Sequence, residues 1–85
     1  MYKETELEDL LKLIGNNMYA LRTQRKVSLK TVSKAVNLPP MLLTRIEGGL
    51  NDYALEYLIV LCSYYKVSPK DMLSVDLRKA KRHGK

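Results

Sequence analysis

Residues Ser28 to Gly49 read SLKTVSKAVNLPPMLLTRIEGG, and this stretch decides the fold. Ser28 is suited to cap a helix from Leu29 to Val36, because its hydroxyl can accept from an otherwise unpaired first-turn amide. Val32, Ala35 and Val36 form the expected inward face. Asn37 follows where the chain must turn, and asparagine tolerates the left-handed backbone that ends helices. Leu38 is an apolar pin in that turn. A second helix starts at the proline pair. Pro40 suits a first helical position because it has no N–H to leave unpaired, and it forces Pro39 into the extended conformation of a cap residue. Leu43 and Ile46 point inward, and Gly48-Gly49 closes the helix. The result is a helix-turn-helix at about residues 29–47.

The flanking sequence is helical throughout. Leu7, Leu10, Leu11, Ile14, Met18 and Leu21 form one apolar stripe from about residue 5 to 25, with Thr5 as its candidate cap. Gly15 lies within that stripe, where it costs ~1 kcal/mol relative to alanine and invites a kink or break. A fourth helix is expected from about Ala54 to Tyr65, with Leu55, Leu58, Leu61, Cys62 and Tyr65 inward. Ser68-Pro69-Lys70-Asp71 is a further start signal, giving a short fifth helix that packs Met72 and Leu73. No strand pattern or repeat is present. The fold class is all-α: a compact bundle of about five helices.

Eighty-five residues make one small domain. It divides into an acidic extension of helix one at 1–13, a helix-turn-helix domain at 14–73 and a basic tail at 74–85. The net charge of +6 is split as −2, +4 and +4 over these segments, which suits a polyanionic partner or a solvated surface with a basic end. Cys62 is the only cysteine, so an intrachain disulfide and a cysteine-held zinc are excluded. It lies in the run Leu58-Ile59-Val60-Leu61-Cys62, which suits a buried packing thiol. His83 is the only histidine and lies in the tail, and nothing pairs a nucleophile with a base, so no enzyme, metal or cofactor is expected. Tyr57, Tyr64 and Tyr65 fall at helical spacing and read as packing rather than base-stacking groups. No apolar run is long enough for a membrane span, and the acidic start is unlike a signal peptide, so a cytoplasmic location is expected.

Arg22, the segment from Val32 to Leu38, the segment from Leu43 to Gly49 and the helix from Leu55 to Val67-Ser68 together resemble the lambda-repressor-like DNA-binding domain, often called the Cro or Xre family. The resemblance covers Ile14 to Leu73. It implies a transcription regulator of the repressor type that binds double-stranded DNA as a homodimer, with the third helix in the major groove. It also implies that Arg22 and Glu47 form a partly buried structural ion pair between the first and third helices, a geometry that suits a planar guanidinium clamping a carboxylate.

By the same resemblance the DNA-contacting positions are Pro40, Met41, Leu42, Thr44 and Arg45, with Lys30 and Lys34 on the outer face of helix two. Independently of the resemblance, Lys26 and Ser28 are candidate secondary phosphate contacts, and the tail with Arg78, Lys79, Lys81 and Arg82 reads either as a solubilising end or as a basic arm that follows the phosphate backbone or enters the minor groove. This chain departs from the pattern at those positions. Leu29 stands where the family usually has a phosphate-binding glutamine, and Pro40, Met41 and Leu42 replace its polar base readers. Thymine methyls are the only apolar target in the major groove, so Arg45 and, to a lesser degree, Thr44 carry the polar contacts. Leu50-Asn51-Asp52 carries one acid and no base where the family usually has a basic loop. The alternative is a protein-interaction module on the same fold, such as an antirepressor or accessory protein. It would use Met41 and Leu42, with Leu50 and Tyr53 nearby, to contact another regulatory protein. Leu7, Leu10 and Leu11 in the acidic leading segment offer a further self-association surface.

Overall fold

The computed structural model describes residues 4–50 and 55–78. They form five α-helices in the order α1 (Glu4–Gln24), α2 (Leu29–Val36), α3 (Pro40–Glu47), α4 (Leu55–Tyr65) and α5 (Pro69–Ser74). No strand occurs among the described residues. The architecture is all-α, as the apolar spacing predicts.

Local chemistry sets the boundaries. The Ser28 hydroxyl accepts from the Thr31 amide and Ser68 does the same for Asp71, each at 3.1 Å. Pro39 is extended (φ −62°, ψ 142°) and Pro40 opens α3, so the proline pair starts that helix. Four helices end alike, each with one residue in the left-handed region: Lys26 after α1, Asn37 after α2, Gly49 after α3 and Lys66 after α4. In each case the next amide reaches back to a carbonyl of the last turn: Val27 to Arg22, Leu38 to Ser33, Leu50 to Arg45 and Val67 to Cys62. Two of these ends use lysine, which offers no local signal for the conformation.

The core is built from Ile14, Met18 and Leu21 of α1, Val32 of α2, Leu43 and Ile46 of α3, Leu58, Leu61, Cys62 and Tyr65 of α4, and Met72 of α5. Helix α1 is the platform: α3 and α5 pack on it, while α2 packs on α3 and α4, and α4 on α5.

Four expectations are corrected. Helix α1 runs unbroken through Gly15. That glycine is required by packing, because a Cβ there would lie 2.6 Å from the Ile46 carbonyl oxygen and 2.7 Å from that of Glu47. The helix begins at Glu4, so Thr5 lies inside it rather than capping it. Ala35 is exposed, since the buried stripe of α2 centres on Val32 with Leu29 and Val36 at its edges. Leu55 is 68% exposed, because α4 is apolar on both sides and packs through the arc centred on Leu61 and Tyr65. Periodicity cannot orient such a helix. Leu7 also stands outside the core, at 41% exposed.

Candidate nucleic-acid interface

The outward side of α3 is set by what its inward side must bury. Leu43 and Ile46 are in the core and Leu42 is partly buried against it, which leaves Pro40, Met41, Thr44 and Arg45 facing out. These lie at i, i+3 and i+4 spacing and form one stripe. Met41 is 72% exposed. The Thr44 hydroxyl donates to the Pro40 carbonyl at 3.1 Å, so its proton is committed within the helix and it meets an outside group as an acceptor. Arg45 is exposed and supplies the stripe's only side-chain N–H donors. Leu42 contributes less than sequence position alone suggests, because half of the Met41-Leu42 pair is drawn into the core.

Beside α3, Lys30 and Lys34 are both exposed and stand one turn apart on α2. Lys26, also exposed, occupies the left-handed turn before that helix. Ser28 is exposed, but its hydroxyl is engaged as the α2 cap and with Thr31 Oγ1 at 3.0 Å. Arg78 pairs with Asp76, Nη2 to Oδ2 at 2.9 Å, and this exposed hydrogen bond holds the Arg78 pKa above its ordinary value. Lys79, Lys81 and Arg82 lie outside the described residues, as do Asn51, Asp52 and Tyr53.

The stripe is held in place from behind. Arg22 of α1 clamps Glu47 at the end of α3, Nε to Oε2 at 2.8 Å and Nη2 to Oε1 at 3.1 Å. Its remaining nitrogen, Nη1, donates to the Val27 carbonyl at 3.1 Å, tying the same guanidinium to the turn before α2. The two side chains are only 13% and 11% exposed. Hydrogen bonding to Glu47 raises the Arg22 pKa against the opposing cost of burial. One arginine of α1 thus holds both the end of α3 and the turn before α2. The turn itself is braced by Ser33, whose hydroxyl donates to the Leu38 carbonyl.

Sequence reasoning missed two further positioning groups. Asn17 is completely buried; its amide donates to the carbonyls of Met72 at 3.0 Å and Val75 at 2.7 Å, and its oxygen accepts from the Leu77 amide at 2.8 Å. Its place on the same side of α1 as Ile14, Met18 and Leu21 was the available signal. Arg25 donates to the Tyr65 carbonyl at 2.6 Å and stacks its guanidinium 5.3 Å from that ring's centroid, holding α4 to the end of α1.

Among the described residues no cluster of histidine, cysteine, aspartate or glutamate could hold a metal ion, and no helix is long and apolar enough to cross a membrane. The chain matches no known family model, no curated protein and no solved structure.

Proposed function

We propose that this chain is a DNA-binding transcription regulator of the lambda-repressor-like, Cro/Xre type, acting on double-stranded DNA without a cofactor or catalysis. The observation that supports this most is the pairing of an anchored α3 with an outward stripe that ends in Arg45, beside the exposed Lys30 and Lys34 of α2. In this reading α3 enters the major groove, Arg45 grips a guanine edge or a phosphate, and Met41 contacts thymine methyls. The lysines neutralise the backbone. With so few polar groups on the stripe, discrimination leans on DNA shape.

Selection of bound sites from random duplexes, repeated with Arg45→Ala, tests the reading. A partly symmetric motif is expected, and the variant should lose about 1–3 kcal/mol at one base position. Binding that enriches no sequence and disappears by moderate salt refutes sequence-reading.

A second reading draws on Met41 within the stripe, at 72% exposed, and Leu50 just past the end of α3, at 50% exposed. Such apolar groups suit a contact with another regulatory protein. Loss of DNA selectivity at a thymine position in Met41→Ser would set that reading aside for this helix, whereas retained selectivity would favour it.

A further inference from the structure

We propose that one water molecule is a fixed part of this fold, held between the Tyr65 hydroxyl of α4 and the Glu47 carboxylate of α3. The two residues line a small internal cavity where α1, α2, α3 and α4 meet, and apolar side chains, Met18, Val32 and Leu61 among them, complete its wall. It leaves about 10 Å³ for the centre of a water molecule, which is room for one and for nothing larger.

The group that needs a partner is the phenol. Tyr65 is 1% exposed, so bulk solvent does not reach it. Its carbonyl accepts from Arg25, and its ring packs against Tyr64 and the Arg25 guanidinium. Its hydroxyl exchanges no hydrogen bond with any described residue. Buried tyrosine hydroxyls normally find a partner, because leaving water without one is costly. Glu47 supplies an acceptor. Each of its oxygens takes one bond from Arg22, and a carboxylate accepts about four in all. The Glu47 charge also acts on the Tyr65 phenol more strongly than Arg22 or Arg25 does, as expected of two groups that share one cavity. The phenol donates to the water, and the water donates to a Glu47 oxygen. Two bonds are the lower end of the range for internal water. An ion fits badly here, because Arg22 already balances the Glu47 charge. The water thus ties α4 to the end of α3 that α1 also clamps.

Oxygen-17 magnetic relaxation dispersion of the full chain without DNA tests this independently of the DNA-binding proposal. The method counts long-lived internal waters and does not respond to the phenol proton. The unaltered chain should show a dispersion worth about one water, and Tyr65→Phe, which removes one of its two partners, should lose it. No dispersion above surface hydration in the unaltered chain overturns the proposal. So does a folded Tyr65→Phe chain that keeps the signal. Urea midpoints near neutral pH give a second reading of opposite sign in the two cases. A hydrated phenol makes Tyr65→Phe less stable, because the variant gives up the bonds through the water. A dry phenol makes it equally or more stable, because the variant sheds a desolvated polar group. A lowered midpoint is expected, and one that holds or rises overturns the proposal.

Discussion

Gly15 of α1 and Ile46 of α3 approach so closely that a Cβ on the glycine would sit 2.6 Å from the Ile46 carbonyl oxygen. The obstacle is backbone, so a side chain cannot be accommodated by a rotamer change. Placing alanine there should gain ~1 kcal/mol of helix propensity and lose more through overpacking, which typically costs about 1–3 kcal/mol and is aggravated by a backbone clash. We expect Gly15→Ala to lower stability by at least about 1 kcal/mol net in urea denaturation, and to shift amide resonances of α3. A stabilised variant would show that the two helices separate freely.

The Arg22–Glu47 clamp acts on the same junction by a different route. Glu47→Ala removes both carboxylate bonds and leaves a guanidinium at 13% exposure with the Val27 carbonyl and the face of the Tyr19 ring, 5.4 Å to its centroid, as its remaining partners. Stranding a buried charge costs about 3–5 kcal/mol, and the residual exposure places this site at the lower end. Chemical denaturation should show a loss of about 3 kcal/mol. A loss below about 0.5 kcal/mol would reduce the pair to a surface contact.

Much of this organisation is legible in the sequence because it is set locally. Ser28, Asn37, Pro40, Gly49 and Ser68 each carry a backbone preference that the fold uses where sequence places it. What depends on distant packing is not legible. Gly15 reads as a weak point until α3 is known to press against it. Leu55 reads as core because nothing in an apolar helix says which side meets the body. Asn17 reads as an ordinary polar residue on an apolar stripe, although three bonds more than fifty residues away in sequence depend on it. The candidate interface is intermediate: the side that α3 turns outward follows from its periodicity, whereas the commitment of the Thr44 hydroxyl to its own helix does not.

Asn17 therefore makes a test of its own. Asn17→Ala leaves the Met72 and Val75 carbonyls and the Leu77 amide without this partner. Each buried polar group left unpaired costs about 1–3 kcal/mol, and solvent reaching the segment recovers part of that. We expect an overall loss of about 3 kcal/mol. Hydrogen exchange at Leu77 should accelerate far more than in α2, and uniform acceleration would argue against a local anchor.

Alkaline pH should destabilise the fold through α4. Burial pushes the Tyr65 phenol up to about 12, with Glu47 and Tyr64 adding to the rise and Arg22 and Arg25 opposing it. The unfolded chain releases this proton near pH 10 and the folded chain retains it, so the folded state binds more protons between the two values. Stability from Tyr65 is thus complete below about pH 10 and declines as pH rises towards 12, by at most about 2–3 kcal/mol. Burial moves the Cys62 thiol in the same direction, which adds to the decline and keeps the thiol unreactive in the folded chain. Urea midpoints measured from pH 8 to 12 should fall above pH 10, and Tyr65→Phe should flatten that fall.

The lysines of α2 distinguish backbone contact from base reading. Lys30 and Lys34 lie outside the core and take no part in the Arg22 clamp, so replacing both with alanine should leave the melting temperature nearly unchanged. If they neutralise phosphates as proposed, each substitution removes about one counterion-release step. The slope of log K against log salt should then become less negative by about 0.9 for each phosphate no longer neutralised. Affinity should drop by a similar factor for every duplex, with the selected motif unaltered, because phosphate contacts carry no direct sequence information. Arg45→Ala should do the reverse, changing the preferred base at one position. An unchanged salt slope in the double lysine variant would move the polyanion contact away from α2, and a changed motif would bring those lysines into the groove.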